Sequence, residues 1–108
     1  MKTLKFRKEL IEKIMSGEKS TTWRLFDDKN IIKGDEIEII GWENKNAVAK
    51  ILIEKVIEKK FNQLTEKDLE GHERYSSEEE MYKRFSLFYN QEVTPETKLK
   101  IIKFRLLK

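Results

Sequence analysis
A helix that must end at Gly17 and pass at once into a β-forming run restricts this chain more than any other feature. Leu10, Ile11, Ile14 and Met15 recur at helical spacing, and Gly17 stands where a helix stops in a left-handed cap. Ser20, Thr21, Thr22, Trp23, Arg24 and Leu25 follow, a run rich in residues that favour extended backbone. A capped helix feeding directly into a strand makes a rigid corner, and side chains on such a corner are held in fixed positions.

Residues 17–24 read G-x-K-x-x-T-x-R, which crowds a turn former, an ammonium, a hydroxyl and a guanidinium into one corner. Gly17 can serve as a cap alone, and Lys19 can simply sit near the negative end of the helix. Thr22 and Arg24 lie two apart, so on a strand they share a face about 7 Å apart. Arg24 has the apolar neighbours Trp23, Leu25 and Phe26, and a guanidinium there needs a fixed anionic partner, either a structural carboxylate or a ligand. Trp23 alternates with both and faces the core.

The remaining elements read in order. Residues 3–6 form a short strand and residues 8–16 a helix. Lys33-Gly34-Asp35 is a turn before a strand in which Ile37 and Ile39 alternate with charged residues. Asn44-Lys45-Asn46 reads as a hairpin loop, and Ala47, Ala49, Ile51 and Ile53 mark one face of a long strand over residues 47–57. Ser76 and Glu79 suit a capping box ahead of a helix whose Met81, Phe85 and Phe88 face the core, with Tyr82 and Tyr89 flanking them. Thr94-Pro95 opens a turn. In the last strand Lys98 and Lys100 share one parity and Lys103 and Arg105 the other, so a bulge near Ile101-Ile102 is expected. This order suits a single α+β domain over residues 1–108, built on a small barrel.

With 108 residues the chain suffices for one core without staples. It has no cysteine, which excludes disulfides and thiolate metal sites and fits a cytoplasmic protein. No run approaches the roughly 20 apolar residues of a membrane span, and no signal peptide is expected. His72 is the single histidine, so no usual zinc site is expected, and neither metal nor cofactor is implied. A monomer is expected. Residues 2–8 hold four basic and no acidic side chains, and residues 98–108 five basic and no acidic ones. Side by side in a sheet, these segments would offer phosphates a basic stripe including Lys98 and Lys100; otherwise they are solvated edges that block strand addition.

Gly17, Lys19, Thr22 and Arg24, followed by Lys33-Gly34-Asp35 and later by Leu64-Thr65-Glu66, resemble the motif set of ASCH domains, relatives of the PUA RNA-binding fold. The resemblance implies a PUA-like β-barrel of about five to six strands with helices packed at its ends, and RNA or a modified nucleoside as partner. In the branch of the family that hydrolyses N4-acetylcytidine, a Lys and a Thr of this motif and a Glu after the Leu-Thr-Glu segment form the catalytic set. Lys19 and Thr22 match by spacing. The acidic position falls on Glu73 by residue type and on His72 by count.

Three functions follow. In the first, Lys19 and Arg24 grip a phosphate, Thr22 bonds a sugar or base edge, and Trp23 or Trp42, whichever is exposed, stacks a base, with Gly17, His72, Lys98 and Lys100 in the binding surface. In the second, Thr22 is the nucleophile, Lys19 its base and Glu73 the acid–base partner of an amidohydrolase acting on N4-acetylcytidine; ribonuclease action is a variant. For Lys19 to act as a base, its pKa must fall from about 10.4 by burial or a nearby cation. In the third, a protein-interaction domain uses the motif only to stabilise its corner.

Overall fold
A computed structural model describes residues 2–26, 29–42 and 46–107. The elements run β1 (Thr3–Phe6), α1 (Lys8–Ser16), β2 (Thr21–Arg24), β3 (Glu36–Gly41), β4 (Ala47–Lys60), a short 3-10 turn (Phe61–Gln63), α2 (Glu66–Leu69), α3 (Glu78–Tyr89) and β5 (Lys98–Leu107). The five strands form one curled sheet in the order β1-β3-β4-β5-β2, with only β1 and β3 parallel. The result is the α+β half-barrel expected of a PUA-like domain. Asn44 and Lys45 of the expected hairpin loop lie outside the described residues.

Curling leaves β1 and β2 as the two edges, and Arg24 spans them. Its guanidinium Nη2 donates to the Lys5 carbonyl at 3.0 Å and lies 4.7 Å from the Phe6 ring centre. The fixed partners of this cation therefore include a backbone oxygen and an aromatic face. Such contacts suit Arg, whose planar and weakly hydrated group stacks on rings.

Each face of the sheet has its own core. Leu4, Phe6, Ile14, Ile37, Ile39, Ile51, Ile53, Ile102 and Phe104 fill one; Trp23, Leu25, Phe61, Met81, Val93, Leu99 and Ile101 fill the other. This two-sided burial explains the charge pattern of the last strand. Leu99 and Ile101 point into the second core, and Ile102 and Phe104 into the first, so β5 alternates regularly and needs no bulge of its own. The bulge lies across the ladder in β4. Ile53 pairs with Phe104 and Lys55 with Lys103, which leaves Glu54 as the extra residue and shifts the inward parity from Ile53 to Val56.

The helices follow their sequence signals with two corrections. Gly17 adopts φ 88° and donates its N–H to the Ile14 carbonyl, as expected of a cap. The N-cap of α3 is Ser77 rather than Ser76, its hydroxyl accepting from the Glu80 N–H at 3.1 Å. Two adjacent serines followed by acids at 78, 79 and 80 offer two equivalent cap registers, and packing selects the one that seats Met81, Tyr82, Phe85 and Tyr89 on the second core. In that register Phe88 turns outward and is 45% exposed, so it is not a core residue. The terminal basic segments are not neighbours either: β3 and β4 lie between β1 and β5. β1 pairs with β3 because the crossover through α1 and β2 delivers β3 beside it.

Candidate functional site
The cap of α1 turns the chain so that Lys19 points inward, where its side chain keeps 2% of its exposure. Burying an ammonium is costly unless it is paired and hydrogen-bonded. Lys19 Nζ donates to the Thr21 carbonyl at 2.8 Å and to Glu73 Oε2 at 2.6 Å. Glu73 is thus the acidic residue facing the motif lysine. His72 beside it lays its ring on Trp23, with centroids 4.0 Å apart and planes 15° apart, and its Nδ1 lies 2.9 Å from the Glu73 carbonyl oxygen.

Glu73 reaches this position because the segment after α2 is stitched to the motif. The Gly71 carbonyl accepts from the N–H groups of Ser20 (2.9 Å) and Thr21 (3.1 Å), and Thr21 Oγ1 donates to the Glu70 carbonyl at 2.6 Å. Gly71 has φ 75°, and a Cβ there would collide with Ser20 Oγ. Glycine is required on both counts. In the sequence the one local signal of Gly71 is a glycine immediately before the single histidine, at the end of a short capped segment.

Burial pushes the Lys19 pKa down, and the Glu73 carboxylate offsets this only in part, so the ammonium loses its proton more readily than an ordinary lysine. Arg24 and Lys13 add to the lowering. Burial, the largest single influence, would raise Glu73, but the Lys19 charge and hydrogen bond together with His72 and a backbone hydrogen bond outweigh it and hold the carboxyl below the usual range. Burial, reinforced by the Lys19 charge, lowers His72 to about 4, which leaves a neutral imidazole at pH 7. Burial and the Glu73 charge raise Tyr75, which stays a protonated phenol.

A cleft of about 690 Å³ opens over these groups, lined by Lys19, Thr22, Arg24, His72 and Glu73 together with Trp23 and Tyr75. Thr22 is 4% exposed and pairs in register with Ile102, while Trp23 pairs with Ile101, so the two side chains leave β2 on opposite faces as alternation requires. Trp23 nevertheless reaches the cleft wall through its edge of the second core. Gly17, Lys98 and Lys100 do not line the cleft. Gly17 acts in the cap, and Lys98 and Lys100 stand on β5 opposite Lys60 and Glu58. Trp42 and Phe88 sit at the mouth, with Lys5, Arg7, Lys13, Arg74 and Arg84 around it. Among the described residues no three His, Asp or Glu side chains come together as a metal site, and no helix is long and apolar enough to cross a membrane.

Fold and cleft together define a PUA-like α+β protein whose strand-borne hydroxyl and buried ion pair share one hollow. The sequence profile of the ASCH domain matches residues 2–108, and the chain belongs to that family. No curated protein matches it. Among solved structures it is similar to an ASCH domain from Lactobacillus crispatus, at 16% identity over 97% of this chain and 79% of that one with a TM-score of 0.73. It is also similar to the hypothetical protein PH0355, at 26% identity over 99% and 100% of the two chains with a TM-score of 0.74. Protein PF0455 from Pyrococcus furiosus matches at 23% identity over 99% and 97%, with a TM-score of 0.66.

Proposed function
We propose that the cleft receives a cytidine base and that Lys19, Thr22 and Glu73 remove an acetyl group from its exocyclic nitrogen. One observation carries this reading: the Lys19 ammonium is 2% exposed and paired at 2.6 Å with Glu73. A lysine that grips phosphate keeps its charge available to solvent, whereas this one is sealed and neutralised within the protein. A buried lysine with a lowered pKa that lines the same cleft as a strand-borne hydroxyl is suited to proton transfer instead.

The chemistry runs in balanced steps. The Lys19 proton crosses the short hydrogen bond to Glu73, leaving a neutral amine. That amine takes the Thr22 Oγ proton as the oxygen attacks the acetyl carbonyl carbon. The tetrahedral intermediate collapses by breaking the C–N bond, and the proton now on Lys19 goes to the departing N4 of cytidine. Water then hydrolyses the acetyl ester on Thr22, one of its protons returning to the Thr22 oxygen and its OH going to the acetyl group; the acetic acid leaves as acetate with its proton passing to solvent, and the proton held by Glu73 returns to Lys19. His72, neutral and stacked on Trp23, widens the flat wall against which a base can lie.

Incubation of the protein with N4-acetylcytidine, followed by chromatography of cytidine, tests the proposal. Turnover that disappears in both Thr22→Ala and Lys19→Met is the expected result. A parent protein without turnover, or a Thr22→Ala variant as active as the parent, would overturn it. RNA binding without hydrolysis is the second reading, favoured by the cations around the mouth; Lys19 would then be only a positioning residue.

A further inference from the structure
Acetylcytidine fills the floor of the cleft and leaves an aromatic corner at its mouth without a role. Trp42 follows β3 directly and is anchored by its own N–H, which donates to the Phe6 carbonyl at 3.2 Å. Phe88 comes from the last turn of α3. Their rings stand 6.0 Å apart at 87°, forming a right-angled corner, and each residue is 45% exposed. Lys5 Nζ lies 5.6 Å from the Trp42 ring centre and the Arg7 guanidinium 5.6 Å from that of Phe88.

The charges here differ from those of the two arginines at the mouth. Arg74 is engaged by Glu66 and Arg84 by Glu80. Among the described residues, Lys5 and Arg7 have no carboxylate partner; each rests on a ring. The corner therefore offers a flat apolar surface flanked by two cations whose charge is not cancelled. A ligand that satisfies both features carries a π-face and an anionic group within one residue's length of each other. An acidic peptide supplies the charge without the ring, and a free nucleoside has no anion and no second base.

We propose that Trp42 and Phe88 stack the base next to the cytidine while Lys5 and Arg7 hold the phosphate joining the two, so that the preferred ligand is single-stranded RNA rather than a free nucleoside. The inference rests on the reading above that a cytidine occupies the cleft floor. Base stacking on an aromatic ring and phosphate contact by Lys or Arg are the two elements of single-strand recognition.

The test is titration of a fluorescently labelled pentacytidylate RNA by anisotropy, with free cytidine and polyglutamate as competitors. The pentamer is expected to bind at least about tenfold more tightly than cytidine. Trp42→Ala should lose about tenfold of that affinity, and Trp42→Phe, which keeps a ring, most of it back. Lys5→Ala with Arg7→Ala should reduce the slope of log affinity against log salt by about 0.7, the value for the single phosphate they share. Pentamer binding no tighter than that of cytidine, binding indifferent to these variants, or polyglutamate competing as well as RNA would each overturn the proposal. If the protein binds the pentamer through Trp42 but hydrolyses nothing, the subsite stands and the deacylation falls. If it hydrolyses N4-acetylcytidine but ignores the pentamer, the subsite falls and the chemistry stands.

Discussion
Two lysine–carboxylate pairs brace the middle of this protein, and they are built in opposite senses. In Lys59–Asp68 the acid is the sealed partner, at 4% side-chain exposure against 26% for the lysine; in Lys19–Glu73 the lysine is sealed, at 2% against 24% for the acid. One Asp68 oxygen accepts from Lys59 Nζ (2.8 Å), Thr65 N–H (2.8 Å) and Thr65 Oγ1 (3.1 Å), as a cap of α2 should. Burial pushes Asp68 up, but these donors outweigh it and fix the carboxylate form. The Lys19 pair instead opens its acid to a cleft and leaves its base with a lowered pKa. A buried ion pair whose donors are all satisfied is a staple; one turned toward a cavity with a weakened proton has the arrangement that the proposed deacylation requires.

The largest effect separates the pairs by rate. Glu73→Gln is expected to cut turnover of N4-acetylcytidine by roughly a thousandfold, while Asp68→Asn leaves kcat within about twofold. Equal losses in the two variants would dissolve the contrast. Replacing both members by apolar groups sharpens it, since a buried pair can often be exchanged this way without loss of stability. Lys19→Met with Glu73→Leu should fold about as stably as the parent and be inert. Lys59→Met with Asp68→Leu should lose stability, because Thr65 then has no acceptor.

Gly71→Ala comes next, since it forces both a left-handed alanine and a collision with Ser20 Oγ. It should lower stability by about 2 kcal/mol and displace Glu73, measured as a fall in both melting temperature and turnover. Adding Ser20→Ala should recover part of each loss. Asp68→Asn is expected to cost about 2 kcal/mol in denaturant unfolding, because it leaves Lys59 without its counter-charge.

An effect of similar size comes from pH. His72 titrates at about 4 when folded and near the ordinary 6.5 when unfolded, so between these values the unfolded chain binds the extra proton. Stability is therefore full above about 6.5 and falls as the solution is acidified toward 4, by on the order of 2 kcal/mol allowing for partial exposure. The lowered Glu73 adds to the same acid loss. His72→Gln should flatten the dependence of melting temperature on pH in this window. An unchanged slope would remove His72 from that account.

Much of the site was legible because its signals are local. Gly17, Lys19, Thr22 and Arg24 lie within one turn and one strand, and alternation alone places Thr22 and Trp23 on opposite faces. The choice between His72 and Glu73 was not legible, since both fall within a residue of the expected place and only the stitch at Gly71 determines which side chain meets Lys19. The basic stripe failed for a related reason: charge density in residues 2–8 and 98–108 carries no information on which strands become neighbours. Phe88 shows the same limit. Helical spacing lists it with Met81 and Phe85, but the register chosen by Ser77 sends it to the mouth of the cleft.

Periodicity, cap chemistry and turn residues, which act over a few bonds, determined the succession of strands and helices and the corner that bears the motif. Contacts between segments about fifty residues apart, set by the closure of the curled sheet and the burial of two separate cores, decided the rest. They selected Glu73 as the partner of Lys19, placed the bulge in β4 rather than β5, and exposed the aromatic corner at the mouth. No local rule reaches across that distance, because the free energy that fixes such contacts belongs to the packed whole.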